Sequence, residues 1–305
     1  MRKRILFIYN KSALSNYNSD IHSGWIKEVS ADYDIKWWGK GFGETGIKNL
    51  VKVCLKWKPN YIYLTVRKRY QNWLPDLSGI SIPKIYVECD TWRYSSEDSW
   101  YDQFDSLYCR QPWWGESSMI YSEKMGSKNK FLTSLEKERT WKNVKLFRWS
   151  VSESNIKEVD NETRKGVSFI GGFRSRTGAY EYRIHLHEQL KDSVLFLPKP
   201  GLILDSVSYW NALRKSSALI CPTESNYGDF IPTKIFEYAA SGAAILTNCD
   251  LERYNMKDLD NVVIKYKDLD DLKSKLDMDF SHYYGKSQNV IKNHVHRIRY
   301  KELFE

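Results

Sequence analysis

Cys221-Pro222-Thr223-Glu224-Ser225-Asn226-Tyr227-Gly228-Asp229-Phe230-Ile231-Pro232-Thr233-Lys234-Ile235-Phe236-Glu237-Tyr238-Ala239-Ala240-Ser241-Gly242-Ala243-Ala244-Ile245-Leu246-Thr247 decides the fold. It reads as strand, polar loop, helix, glycine, strand. The preceding Ala218-Leu219-Ile220 has the length and apolar character of a buried strand. The pattern predicts a helix from Pro232 or Thr233, because proline is tolerated in a first turn and threonine caps one. Gly242 ends that helix, and 243–246 starts the next strand.

A loop at the carboxyl end of a parallel strand, leading into a helix, is where open α/β sheets bind ligands. The helix N-terminus presents free N–H groups and a positive dipole end to an anion. Lys234, in the first turn, adds a full charge. Glu237 lies one turn further along the same face, where a carboxylate accepts hydrogen bonds from vicinal hydroxyls. Phosphate near Lys234 and sugar hydroxyls near Glu237 together point to a nucleotide or nucleotide-sugar.

This segment resembles the donor-binding signature of GT-B glycosyltransferases. Many retaining members carry a Glu, seven residues, and a second Glu at the start of a helix that continues Ala-x-Gly-x-Pro-Val. Here Asp229, seven residues and Glu237 precede Ala239-Ala240-Ser241-Gly242-Ala243-Ala244-Ile245; the first acid is Asp rather than Glu. The resemblance implies that Glu237 holds the ribose, Asp229 sits by the donor sugar and Lys234 lies near the pyrophosphate. The run from Glu224 through Asn226 and Asp229 to Lys234 is also similar to the Glu-Asn-…-Asp-Tyr-…-Lys segment of inverting α1,3-fucosyltransferases. Both families are GT-B, so the fold expectation is common to them while the stereochemistry stays open.

Strands are expected at 4–9, 34–38, 61–66, 82–89 and 106–109, with another at 131–134. Helices are expected from Gly24 and over 47–57. This alternation predicts a parallel α/β domain. After the strand 144–147, the polar run 152–165 reads as an interdomain linker. Strands at 167–170, 194–197 and 262–264, with helices over 180–190 and 209–215, then build a second α/β unit around the opening motif. Residues 283–304 read as one basic helix with a solvated face. The resemblance implies a GT-B architecture: two Rossmann-like domains facing across a cleft, with the C-terminal helix crossing back. Residues 1–150 would form the acceptor domain, 151–282 the nucleotide-sugar donor domain, and 283–305 the returning helix.

Further candidates lie in strand-end loops. Gly171-Gly172-Phe173-Arg174-Ser175-Arg176 follows a strand. Paired glycines let backbone N–H groups approach a phosphate, and Arg174 (ahead of Arg176) can clamp its oxygens. Arg183 reads as helix surface or an ion pair. Lys199, in Leu197-Pro198-Lys199-Pro200-Gly201, is placed for phosphate contact, and a rigid surface turn explains it equally well. Asp90, at the end of 85–89, is the candidate for contact with the acceptor hydroxyl, as general base in an inverting reaction; a helix cap is the competing reading. His22 is a contact candidate for donor or acceptor. Arg67, in Arg67-Lys68-Arg69-Tyr70-Gln71-Asn72-Trp73, and Trp92 mix charge with aromatic faces, which suits polyanions, bases or sugars.

With 305 residues and 42% hydrophobic side chains, the chain can build two domains. Forty-seven Lys and Arg against 38 Asp and Glu leave +9, which suits nucleotide-sugars, anionic glycans, membrane surfaces or nucleic acid. Five cysteines without a CxxC pair argue for a reducing compartment and against structural zinc. The apolar run 5–9 is too short for a signal sequence, and no stretch reaches transmembrane length, so a cytoplasmic protein is expected.

The expected activity is metal-independent transfer of a sugar from a nucleotide-diphosphate donor of UDP or GDP type to an acceptor hydroxyl. The nucleotide-sugar is a co-substrate, and no cofactor is called for. The acceptor stays open between a glycan or cell-surface precursor and hydroxylated bases of phage-type DNA. A non-catalytic nucleotide-binding protein with this fold is the remaining alternative. Oligomeric state is not legible.

Overall fold

A computed structural model describes residues 2–11, 25–43, 45–65, 73–88, 98–110, 144–172, 181–199, 204–223, 231–252 and 254–305. The chain divides into two compact units. One holds the described residues as far as Arg148 together with His296–Glu305; the other holds Trp149–Val295.

The first unit is built on a six-stranded sheet ordered β2-β1-β3-β4-β5-β6. Its strands are β1 (Arg4–Ile8), β2 (Asp34–Trp38), β3 (Tyr61–Leu64), β4 (Lys84–Glu88), β5 (Ser106–Cys109) and β6 (Val144–Leu146), and every pairing is parallel. Side chains alternate between the faces of a strand. Ile5, Phe7, Tyr63, Ile85 and Val87 therefore share one core, with Trp25 and Val29 of α1 (Trp25–Asp32). Leu6, Ile8, Ile62, Leu64 and Tyr86 share the other, with Leu50 and Cys54 of α2 (Ile47–Trp57). The first core is closed by the end of the chain: Trp25 stacks on Tyr300 with ring centroids 4.9 Å apart. Arg297 forks onto Asp32 with two bonds of 2.6 Å, and this hydrogen bonding holds the Asp32 carboxyl below its usual range.

The second unit carries a five-stranded parallel sheet ordered β11-β10-β9-β7-β8. Its strands are β7 (Val167–Ile170), β8 (Val194–Leu197), β9 (Ala218–Cys221), β10 (Ala244–Thr247) and β11 (Ile264–Lys265). Strands β7, β9 and β10 are buried at every residue, as central strands covered on both faces must be. The helices are α3 (Glu181–Leu190), α4 (Ser206–Lys215), α5 (Lys234–Ser241), α6 (Lys257–Asp260), α7 (Leu269–Ser274) and α8 (Lys286–Ile291). Helix α4 starts three residues before the expected 209, because the Asp205 side chain caps it by accepting from the Ser208 amide at 2.9 Å.

Two expectations are corrected. The run 152–165 is not a loose linker but part of the second unit, folded into short turns at Glu153–Asn155 and Asn161–Thr163. Arg164 is buried beneath it. Its guanidinium donates to the carbonyls of Arg214 (2.9 Å), Ser216 (3.1 Å) and Ser241 (2.9 Å) and lies over the Tyr284 ring. A buried charge persists only when its donors are matched in this way. Gly242 makes that approach possible: it ends α5 at φ 75°, and a Cβ there would stand 3.1 Å from Arg164 Nη2.

The second correction concerns the terminal helix. It is broken: α8 and a turn at Lys292–His294 stay with the second unit, and α9 (His296–Phe304) belongs to the first. Val295 between them is extended and bridges Val151. The basic residues of this segment divide: Lys292, Arg297 and Lys301 are exposed, as a solvated face requires, whereas His294, His296 and Arg299 are buried. The expected strand 131–134 lies outside the described residues.

Replacing Arg164 with Ala leaves three carbonyls without their donor and should cost about 2–4 kcal/mol of stability. Arg164→Lys should recover part of the loss. Urea unfolding followed by circular dichroism measures both; a change below about 0.5 kcal/mol for Arg164→Ala would mark an ordinary surface position.

Candidate functional site

Helix α5 starts beyond the carboxyl edge of β7, β9 and β10, and every residue from Ile235 to Ser241 is buried. Thr233 occupies its cap position without a side-chain capping bond. The orientation of α5 is fixed by Tyr238, whose hydroxyl donates to the Ile170 carbonyl (2.7 Å) and accepts from the Ile170 amide (3.3 Å). The end of β7 and the helix that faces it are thus one piece.

Lys234 and Glu237 occupy the first turn of that fixed helix, as expected, and the structure brings them together through a third residue. Glu237 is 2% exposed, and its Oε2 accepts from the Tyr209 hydroxyl of α4 at 2.5 Å. The Lys234 ammonium lies 3.5 Å from the same hydroxyl and 5.0 Å from the centre of the Tyr209 ring. Burial lowers the Lys234 pKa; the Glu237 carboxylate opposes that shift and the Arg183 charge adds to it. Burial also raises the Tyr209 phenol well above its ordinary value, with the Glu237 charge adding to it. The Tyr209 phenol therefore stays protonated and stands as a hydroxyl between Lys234 and Glu237 at the mouth of the helix.

The floor of the site is Gly171, at the end of β7. A Cβ there would meet the Phe169 ring at 2.9 Å and would stand 3.8 Å from Lys234 Cε. Gly171 donates to the Leu197 carbonyl at 2.8 Å, tying the ends of β7 and β8 together. Gly172 follows, half-buried. On the neighbouring strand ends, Thr223 and Asn248 bond reciprocally: the Thr223 amide donates to Asn248 Oδ1 (2.7 Å), and Asn248 Nδ2 donates to the Thr223 carbonyl (3.1 Å).

Lys199 is exposed just past the cis Leu197–Pro198 bond; among the described residues its side chain makes no hydrogen bond or ion pair. Asp90, Asp229, Arg174, His22, Arg67 and Trp92 lie outside the described residues. Three side chains of this cluster escaped the sequence. Tyr209 was hidden by the late helix start; a helix capped by Asp205 places Tyr209 and Leu213 four residues apart on one face. Tyr238 read only as one residue of the helix. Arg183, read as helix surface or ion pair, carries a charge that acts on Lys234, Cys221 and Tyr238. Among the described residues no group of three His, Cys, Asp or Glu side chains is arranged to hold a metal ion. Cys54, Cys221 and Cys249 are buried free thiols, as core residues should be.

No family model and no curated protein matches the sequence. Solved structures match over the full length. Sucrose-phosphate synthase (tll1590) from Thermosynechococcus elongatus has a TM-score of 0.56 at 10% identity, covering 99% of this chain and 98% of that one. The E. coli structure described as trehalose-6-phosphate bound with UDP-2-fluoro glucose has a TM-score of 0.59 at 9% identity, with the same coverage. Anabaena Alr3699/HepE in complex with UDP-glucose has a TM-score of 0.56 at 9% identity, covering 98% of each chain. With its two parallel α/β sheets, the chain described here has the GT-B fold of these structures.

Proposed function

We propose that the protein is a nucleotide-sugar-dependent glycosyltransferase whose donor site is the mouth of α5. The observation that carries this reading is the alignment of the Lys234 ammonium, the Tyr209 hydroxyl and the Glu237 carboxylate at the N-terminus of a buried helix. An anion is favoured beside Lys234 and the helix dipole, and vicinal hydroxyls beside Glu237. A nucleoside diphosphate carries both groups, a short distance apart. The UDP-sugar ligands of the E. coli and Anabaena structures favour a UDP donor.

In the reaction, the bond between the anomeric carbon and the diphosphate oxygen breaks, and the acceptor oxygen takes its place. The departing diphosphate gains charge, and stabilising that charge is the largest electrostatic task. Lys234 and the α5 dipole serve it, with Arg174 assigned beside them. Gly171 keeps the strand end slim enough for the phosphates to approach. Glu237, held by Tyr209, orients the ribose, and Asp229 is assigned to the donor sugar. Asp90 takes the acceptor proton if the reaction inverts. With these cations on the diphosphate, the proposed reaction uses no metal. Lys199 and Gly172 are assigned to the rim of the donor site, and His22, Arg67 and Trp92 to acceptor or donor contact. A cytoplasmic location belongs to the same reading; among the described residues no helix is long and apolar enough to cross a membrane.

Calorimetric titration with UDP, GDP, ADP and dTDP tests the reading, and one diphosphate should bind clearly better than the rest. Glu237→Gln should weaken that nucleotide by about tenfold or more while leaving inorganic pyrophosphate unchanged, because only the ribose contact is lost. Equal losses for both ligands would remove the ribose role.

Lys234 generates a pH prediction. Its pKa lies below the ordinary lysine value, so the free site loses its proton, and with it affinity for the diphosphate, as pH rises through that lowered value. Nucleotide affinity should therefore decline at alkaline pH in the native protein. Lys234→Arg should abolish that decline, because a guanidinium stays charged. An affinity flat with pH in the native protein would show that Lys234 does not meet the phosphates.

A further inference from the structure

The first unit carries a surface that the donor site does not use. Seven large apolar side chains are exposed among the described residues, and three of them lie on α2: Ile47 (40%), Val51 (37%) and Leu55 (71%). They are four residues apart, so they form a row along the helix. Lys48, Lys52 and Lys56 each follow one residue later and form a second, exposed row beside the first. The opposite side of α2 is spoken for: Leu50 and Cys54 are buried in the core, with Val53 and Trp57 packed against it. The apolar row is therefore surplus to folding.

The charge around it has one sign. Residues 46–60 contain no Asp or Glu. Lys58 caps the helix end in the left-handed conformation, and Lys36 of β2 brings its ammonium to 5.5 Å from the Trp57 ring. Three lysines on the helix and a fourth, Lys58, at its end thus accompany three aliphatic side chains.

We propose that α2 docks the protein on an anionic lipid surface, lying in the headgroup layer with Ile47, Val51 and Leu55 turned into the acyl boundary and the lysines meeting lipid phosphates. Basic amphipathic helices bind bilayers in this orientation, with each lysine near the surface and each buried aliphatic group contributing. The aliphatic row separates this partner from nucleic acid. Phosphate backbones need only the cations, and bases are gripped by exposed aromatic rings, whereas the one aromatic ring of α2 is packed on the core and covered by Lys36. The proposal does not depend on the donor-site reading.

The full chain is sedimented with vesicles of phosphatidylcholine alone and of phosphatidylcholine with one-third phosphatidylglycerol. Binding to the anionic vesicles, released by salt, is expected. The triple variant Lys48→Glu, Lys52→Glu, Lys56→Glu should bind about a hundredfold or more weakly, given the contribution of each lysine. Val51→Ser with Leu55→Ser should bind about tenfold more weakly, although its charge is unchanged. Both variants should keep the native circular dichroism and melting temperature, since all the altered side chains are exposed. Failure to sediment with anionic vesicles at low salt, or undiminished binding by the triple variant, overturns the proposal. So does duplex DNA or RNA that competes the protein off the vesicles while the serine variant binds like the native chain, which would assign the lysines to nucleic acid.

Discussion

Helix α5 has no free face, and the second unit is referenced to it. Tyr238 bolts its middle to the end of β7, and Arg164 gathers its last carbonyl together with two carbonyls from the end of α4. A helix held at both points cannot rotate without breaking buried hydrogen bonds, and each broken bond to a charged group costs about 1.5–3 kcal/mol. The first turn, where Lys234 and Glu237 sit, therefore inherits a position set by residues that touch no ligand. Preorganisation of this kind makes a polar site effective, because its groups need no reordering when charge arrives.

The same burial sets the electrostatics. Lys234 and Glu237 are of opposite sign, yet they do not collapse into a plain ion pair. The Tyr209 hydroxyl stands between them, donating to the carboxylate and lying beneath the ammonium. On the proposed reading, this spacer keeps the two groups separately available, one for the diphosphate and one for the ribose hydroxyls. Its phenol stays protonated because burial and the neighbouring carboxylate both raise its pKa. The Arg183 charge adds to the lowering of the Lys234 pKa.

Much of this was legible from local chemistry. The strand, helix, glycine and strand around Lys234 and Glu237 need only apolar runs and a left-handed glycine, and these appear as read; the helix starts at Lys234, with Thr233 at its cap position, rather than at Pro232 or Thr233. The apolar run at 4–9 likewise reads as a strand, and it forms β1. What failed depends on tertiary partners. Residues 152–165 look like a linker because they are charged, but Arg164 folds the segment inward by finding carbonyls from residues 50, 52 and 77 positions away. The end of the chain looks like one basic helix because nothing local marks Val295 as a strand residue; its pairing partner is Val151. Tyr209 was obscure for a smaller reason, an unread Asp205 cap that shifted a helix by one turn.

The central claim is that the α5 mouth receives a nucleoside diphosphate, ribose toward Glu237 and phosphates toward Lys234. A crystal structure of the protein soaked with UDP tests it most directly. The account predicts a ribose hydroxyl within hydrogen-bond distance of the Glu237 carboxylate and a phosphate oxygen within reach of the Lys234 ammonium, with the Tyr209 bond retained. A nucleotide bound elsewhere, or one bound at α5 in the reverse direction, would contradict it.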